Sequence, residues 1–237
     1  MKIHGLRAVV KRKRPLLSHR HRKERMHFAE QHLHWTVEDC KSVVTSDETK
    51  INCFDSDGCQ WAWKRPGEGL SSCLVKDTVK HGGGNIMLWG CMLWEGVGWA
   101  TRIEGKMDAK LYTAILEDEL QQTLHHYGKT PQDIIFQQDN DPKHTSKLAK
   151  KWFKDHGYTV MTWAAQSPDI NPIEHLWVHI KTKLGEFEHP PKGIQELWKR
   201  VQKLWDEIPA SVCENVIESM ARRIEALYKA KGGHTKY

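Results

Sequence analysis

Three acidic residues, Asp47, Asp139 and Glu174, are the side chains in this sequence best suited to chemistry. Asp47 lies in a β-branched run, Asp139 ends an apolar run, and Glu174 follows the Asn171-Pro172 pair that opens a helical pattern. Two divalent cations roughly 3.5–4 Å apart can activate a water and stabilise the leaving oxygen of a phosphodiester. Because Mg²⁺ takes only one or two carboxylates per ion, three acids suffice for a pair. The acids therefore predict a two-metal site.

Each acid also has an ordinary structural explanation, and the local sequence leaves it open. Asp139 could end its strand and help form the turn at Asp141-Pro142. Glu174 could be a capping glutamate if the Asn171-Pro172 pair supplies the N-cap and the first residue of the helix. Asp47 is the hardest to explain in this way, because a carboxylate inside a strand is costly unless it is paired or binds a metal.

The elements that must position these acids alternate between strand and helix patterns. The patterns predict strands at residues 42–51, 60–63, 85–93, 98–104, 134–139 and 158–163, and helices at residues 18–34, from 36, 108–126, 143–156, from 171, 194–207 and 209–229. Such alternation favours an α/β fold with crossover helices, in which ligands collect where strands end and helices begin. Asp47 and Glu48 are expected on opposite faces of their strand, because side chains alternate along it.

The composition indicates a soluble globular protein. The chain has 237 residues, 39% hydrophobic and 28% charged, with no apolar run long enough for a membrane span and no apolar N-terminal segment. Neither a membrane partner nor a secretory signal is therefore expected. The six cysteines form no C-x-x-C pair, which argues against a structural zinc site and favours reduced thiols in the cytosol or nucleus.

A zinc-peptidase motif is disfavoured, with solvated or packing histidines as the alternative, and a nucleotide-binding loop is excluded. His175 and His179 are four residues apart, on one face of a helix. However, Leu176 stands where the zinc-peptidase pattern H-E-x-x-H needs Glu, and Asn171 stands where the inverted pattern needs His. The glycines after His81 are not followed by Gly-Lys-Ser/Thr, so a nucleotide-binding phosphate loop is excluded.

The positive charge is concentrated near the N-terminus. Residues 1–30 hold ten Lys or Arg and two acids, a net charge of +8, whereas the remaining residues have a net charge of −2. This basic arm suits DNA phosphates or a nuclear import receptor, although a solvated tail would have the same composition. We expect Arg12, Lys13 and Arg14 to contact backbone phosphates or a minor groove, with binding that weakens steeply with salt.

A second pair of candidate DNA contacts follows Asp139. Lys143 and His144 stand at the predicted start of a helix, where they could hold a DNA phosphate. The alternative is that both are surface charges on a helix face. The sequence alone does not decide between the two interpretations.

Several motifs in this order resemble the catalytic domain of the Tc/mariner superfamily of DNA transposases. They are TSDET around Asp47, QQDNDPKH around Asp139, SPDINPIEHLW around Glu174, and HGGGNIMLWG at residues 81–90, which is similar to the family's glycine-rich strip. The 34 residues between the second and third acids, closed by Glu rather than Asp, indicate the Tc-like branch. The resemblance extends from about Gly5 over nearly the whole chain.

The resemblance implies an RNase H-like fold, a mixed central sheet flanked by helices, with Asp47, Asp139 and Glu174 as ligands of two Mg²⁺ ions and Mn²⁺ as a substitute. It implies an enzyme that cuts transposon ends and joins the freed 3′-OH to target DNA at TA, in the nucleus. Residues 1–34 would be a linker arm and lead-in helix, and residues 35–237 the catalytic domain. Within that domain, residues 64–84 would form a clamp loop reaching the partner of a paired-end homodimer, and residues 192–237 the C-terminal helices.

The sequence departs from the family pattern in two places. Family members carry two helix-turn-helix units before this linker, and here Met1 falls near the linker's start, so this chain is not expected to recognise transposon ends by itself. Ala164 stands where relatives usually have Pro, in a loop that should absorb the change. The alternative function is therefore a non-enzymatic DNA- or chromatin-binding protein derived from a transposase.

Overall fold

A mixed five-stranded sheet forms the centre of the molecule. The computed structural model describes residues 14–54 and 83–237. The strands are β1 (Val43–Asn52), β2 (Asn85–Leu93), β3 (Gly96–Ile103), β4 (Ile135–Gln137) and β5 (Thr159–Val160). They lie in the order β3-β2-β1-β4-β5, antiparallel between the first three and parallel from β1 to β5. The predicted mixed α/β sheet is confirmed.

Nine helices of the described residues surround this sheet. They are α1 (His19–His32), α2 (Val37–Lys41), α3 (Ala109–Ile115), α4 (Gln121–His126), α5 (Lys147–Asp155), α6 (Ile173–Gly185), α7 (Ile194–Asp206), α8 (Ala210–Glu218) and α9 (Met220–Lys229). A π-helical turn (Leu116–Leu120) joins α3 to α4, and short 3₁₀ turns form at Pro131–Asp133 and Pro168–Ile170. None of these helices is long and apolar enough to cross a membrane.

Side-chain caps fix several helix starts where the sequence predicts them. The Ser18 hydroxyl accepts the backbone N–H of His21 at 3.1 Å and so begins α1. The Asp108 carboxylate accepts the backbone N–H of Leu111 at 2.9 Å and so begins α3. Both bonds satisfy a backbone donor that has no partner inside the helix.

Three element boundaries differ from the prediction. The helix expected at residues 143–156 begins only at α5, because the Ser146 hydroxyl accepts the N–H of Ala149 and caps it there. The strand expected at 158–163 shrinks to the two residues of β5. The helix expected at 209–229 divides into α8 and α9 at Ser219, whose hydroxyl donates to the carbonyl of Val216 at 2.6 Å. A serine that binds local backbone in this way competes with helix continuation.

The sheet is buried on both faces. One face packs against α6, α7 and α8, with Trp177 and Trp205 stacked 5.0 Å apart between their ring centroids. The other packs against α3, the π-helical turn and α5 around the fully buried Phe136. Gly90 in β2 lies under the stacked indoles, where a Cβ would come 2.9 Å from Trp177. This close approach explains why a glycine stands inside a central strand.

Strand β3 lies at the edge of the sheet, and side chains cover part of its free backbone. The Tyr127 hydroxyl donates to the Val97 carbonyl at 2.9 Å, and the Trp205 indole donates to the Gly98 carbonyl at 2.8 Å. The Trp99 N–H donates to the Thr123 hydroxyl at 2.9 Å. Three backbone groups of the stretch Val97–Trp99 are therefore bound by side chains of neighbouring elements.

Some predictions fall outside the described residues. These are the strand at 60–63, all but the last two residues of the clamp loop at 64–84, and the arm residues Arg12 and Lys13. The division of the chain at residues 34 and 35 stays a prediction. The four described cysteines, Cys40, Cys53, Cys91 and Cys213, are free and buried.

Candidate active site

Two of the three predicted acids come from neighbouring parallel strands. Asp47 lies in the middle of β1, and Asp139 lies two residues beyond the end of β4. The last registered pair between these strands is Thr45 with Gln137, so continuing the register sets Asp47 beside Asp139 at the same edge. Glu174 stands in the first turn of α6, which packs against β1. The structure thus brings all three carboxylates to the lining of one cleft.

Burial and the neighbouring acids disfavour the charged form of Asp47. Burial raises the pKa of Asp47 well above its usual value, and the charges of Glu174, Glu48 and Asp139 raise it further. A bond from the Glu48 N–H to Asp47 Oδ1, at 2.8 Å, acts in the opposite direction. Burial also raises the pKa of Glu174. A cleft with such an excess of buried negative charge is stabilised by a cation.

The donor chemistry of this cleft fits Mg²⁺, which prefers carboxylate oxygens and retains several waters. In residues 14–54 and 83–237, however, no three His, Cys, Asp or Glu side chains are close enough together to hold one ion. Asp47, Asp139 and Glu174 therefore supply the right ligands around a shared cleft without forming a closed three-ligand shell.

Asn171 has a different role from the one predicted. The sequence indicates that it caps α6, but the cap position of that helix is Pro172, without any side-chain bond to the backbone. Instead, the buried Asn171 amide donates from Nδ2 to Asp47 Oδ2 at 2.9 Å. Glu174, for its part, makes no capping-box bond. The prediction was wrong because this contact joins residues 124 positions apart, which local patterns cannot show.

Asp139 is held by a buried histidine. His144 Nδ1 lies 2.6 Å from Asp139 Oδ1, and His144 Nε2 lies 3.1 Å from Glu48 Oε1. Burial alone would lower the pKa of His144, but its two carboxylate partners raise it to about 9. Burial would raise the pKa of Asp139, yet the bond from His144 and the N–H of Asp141 hold it below its usual value. Strand alternation predicts Glu48 on the face opposite Asp47, and Glu48 is connected to the site by its contact with His144.

The two residues proposed to follow Asp139 as DNA contacts are not surface groups on a helix. Lys143 and His144 lie in the turn before α5, and the His144 side chain is only 3% exposed. The Lys143 ammonium lies 2.9 Å from Asp141 and 3.4 Å from Glu48. Their contact with DNA stays a prediction. Of the arm residues, Arg14 is described, and the adjacent Pro15 lines the same cleft as the three acids.

Comparison with known proteins agrees with this geometry. Residues 42–197 match the family described as DDE superfamily endonuclease. The Tcb2 transposase of Caenorhabditis briggsae is 38% identical, over 99% of this chain and 84% of that protein. The chain belongs to the Tc-like transposases. The Tc1 transposase of Caenorhabditis elegans is 37% identical with the same coverage of both chains.

Solved structures of the related Mos1 mariner transposase show the same fold. The Mos1 catalytic domain matches with a TM-score of 0.73 at 19% identity, over 94% of this chain and all of that one. A Mos1 paired-end complex with Mg matches with a TM-score of 0.85 at 20% identity, over 99% of this chain and 69% of that one. The predicted RNase H-like fold of the transposase catalytic domain is therefore confirmed.

Proposed function

We propose that this chain cleaves phosphodiester bonds at transposon ends and transfers the freed 3′-OH into target DNA at TA dinucleotides. The observation that carries the proposal is that Asp47, Asp139 and Glu174 converge on one cleft from β1, the end of β4 and the first turn of α6. Membership in a DDE endonuclease family supports the assignment of these three carboxylates to metal binding.

The proposed cofactor is a pair of Mg²⁺ ions, with Mn²⁺ as a substitute. Structures of Mos1 with Mg and with Mn support the choice of metals. The chemistry that a bound pair supplies is activation of a water and stabilisation of the leaving oxygen of a phosphodiester. Asp47, Asp139 and Glu174 would hold the ions.

The chain's own contribution is to hold those carboxylates in fixed orientations. Asn171 holds one oxygen of Asp47, and His144, itself held by Glu48, holds one oxygen of Asp139. Groups that orient metal ligands typically contribute about 10–100-fold to metal affinity or activity. We therefore assign His144 to the positioning of Asp139 rather than to a phosphate.

The proposed partner is DNA, held mainly by the basic arm. Pro15 lines the cleft, so the adjacent Arg14 would reach phosphates near the three acids. Arg12 and Lys13 stay proposed phosphate contacts on the strength of their charge alone. Lys143, beside Asp139, could contact a phosphate if its ion pairs with Asp141 and Glu48 were broken. The Mos1 paired-end complexes support a homodimer that holds two ends, and such work on chromosomes would take place in the nucleus.

The test is nicking of a supercoiled plasmid and of a pre-nicked transposon-end duplex in Mn²⁺. We expect the wild-type chain to nick DNA. The loss of activity in Asp139→Asn should exceed the loss of about 10–100-fold that is typical when a residue orienting a metal ligand is removed. Asp155→Asn is the matched control, because Asp155 is an exposed acid on α5 that pairs with Lys151, away from the cleft lining. Retained DNA binding without any metal-dependent cleavage by the wild type would instead support the non-enzymatic alternative.

A further inference from the structure

A buried arginine lies behind the wall of the cleft. Arg25, in the middle of α1, is completely buried. Its Nε donates to the carbonyl of Gly232 at 3.0 Å, and its Nη2 donates to that of Gly233 at 2.9 Å. Its Nη1 donates to the carbonyl of Gln166 at 3.0 Å and to the hydroxyl of Ser167 at 2.9 Å. One guanidinium thus joins α1 to the cleft loop and to the C-terminal segment.

The acid at the centre of this cluster is Asp169. Arg25 binds both of its oxygens, at 2.7 and 2.8 Å, in the planar forked geometry that lysine cannot reproduce. The backbone N–H and the hydroxyl of Thr235 donate to the same carboxylate at 3.1 and 2.9 Å. Asp169 is 5% exposed, so this is a buried pair with all its partners inside the protein.

Arg25 and Asp169 hold the 166–171 segment, which leads to the cleft residues Asn171 and Glu174. Gln166 has a backbone φ of 55°, a left-handed conformation that is unfavourable for a residue with a side chain, and Arg25 holds its carbonyl. Five residues after Gln166 comes Asn171, which donates to Asp47, and Glu174 follows in the first turn of α6. The orientation of both depends on how this segment is held.

The same cluster fixes the entry of the basic arm. Pro15 lines the cleft, and α1 begins four residues later, so the position of Pro15 at the cleft follows the position of α1. The C-terminal turn packs closely on that helix, because a Cβ on Gly232 would come 2.0 Å from the Arg22 carbonyl oxygen. The arm and the cleft wall are therefore attached to each other through Arg25.

We propose that Arg25, paired with Asp169, is a positioning residue for strand cleavage, which sets the 166–171 segment relative to the arm that delivers DNA. This inference rests on the proposed function. A positioning role differs from a purely structural one. Loss of a purely structural pair would reduce the amount of folded protein without changing the nicking rate of the molecules that remain folded.

The test compares the full chain with Arg25→Lys, Asp169→Asn and the milder Thr235→Val, which removes one donor to Asp169. Arg200→Lys is the matched control, because Arg200 on α7 also pairs with a glutamate, Glu196, and binds a carbonyl, that of His189 at 2.7 Å. The measurements are circular dichroism, hydrogen exchange of residues 164–172, plasmid nicking over a range of Mn²⁺ concentrations, and fluorescence anisotropy with a labelled duplex.

We expect Arg25→Lys and Asp169→Asn to exchange faster at residues 164–172 and to nick about 10–100-fold more slowly per folded molecule. The Mn²⁺ concentration for half-maximal nicking should rise, whereas duplex affinity should change by less than about threefold, because the arm keeps its charges. Thr235→Val should show smaller changes in the same direction, and Arg200→Lys none.

The inference would be overturned if folded Arg25→Lys showed wild-type hydrogen exchange at residues 164–172, a wild-type nicking rate and wild-type dependence on Mn²⁺. If the wild-type chain does not nick DNA, the proposed function fails on its own. Hydrogen exchange then decides the inference alone: faster exchange at 164–172 supports the attachment through Arg25, and unchanged exchange refutes it. If Arg25→Lys does not fold, the same comparison is made with Thr235→Val.

Discussion

Removal of the Asn171 side chain is expected to slow DNA nicking substantially while leaving the chain folded. Asn171 donates to Asp47 Oδ2 at 2.9 Å from a site that is 4% exposed. A hydrogen bond to a carboxylate, the form in which Asp47 would hold a cation, contributes about 1.5–3 kcal/mol. If that energy serves to orient Asp47, its loss lowers the rate by about 10- to 150-fold. The fold should persist, because Arg25 and Asp169 hold the preceding turn independently.

The assay is nicking of a supercoiled plasmid by Asn171→Ala in Mn²⁺, with the rate expressed per folded molecule from circular dichroism. Asn215→Ala provides the control, since Asn215 is an exposed residue of α8 whose amide donates to the Ser211 carbonyl of its own helix at 2.6 Å. A wild-type rate in Asn171→Ala, with unchanged Mn²⁺ dependence, would show that Asp47 keeps its orientation without this bond and would refute the reasoning.

Two further predictions concern stability. Gly90→Ala should lower the free energy of unfolding by about 1–3 kcal/mol in urea denaturation, because its Cβ meets Trp177 at 2.9 Å. Gly185→Ala, which has no neighbour within 4 Å, should be neutral or slightly stabilising, and equal losses in both variants would contradict the packing argument. Burial alone would raise the pKa of Asp169, but the bond and charge of Arg25 hold that pKa below its usual value in the folded protein. The stability that the Asp169 carboxylate contributes is therefore present above its unfolded-state pKa and is lost as pH falls through its folded-state pKa. The stability difference between wild type and Asp169→Asn should therefore shrink below about pH 4, and a difference constant from pH 6 to 3 would count against this pair.

The placement of the acids was predictable because it depends on local order. Alternation along β1 and the end of an apolar run at Asp139 locate two carboxylates on neighbouring strands, and the start of a helical pattern locates Glu174. These positions, together with the family motifs around them, predicted a shared site, and the structure places the three acids on the lining of one cleft.

The supporting bonds could not be predicted, because they join residues far apart in the chain. Asn171 and Asp47 are 124 residues apart, and Arg25 and Asp169 are 144 apart. Neither pair leaves a periodic signal in the sequence. The start of α5 was misplaced for a different reason: charged and hydroxyl residues before Lys147 suit a turn or a helix equally well, and the Ser146 cap decides.

The covered edge of the sheet limits how this protein can associate. Along Val97–Trp99, the backbone groups of β3 bind Tyr127, Trp205 and Thr123 instead of remaining free. An extended peptide, or β3 of a second copy, would have to compete with these side chains for backbone hydrogen bonds along this stretch. A partner that approaches there must recognise side chains such as the half-exposed Trp99. Fibre growth by strand addition is opposed at the same place.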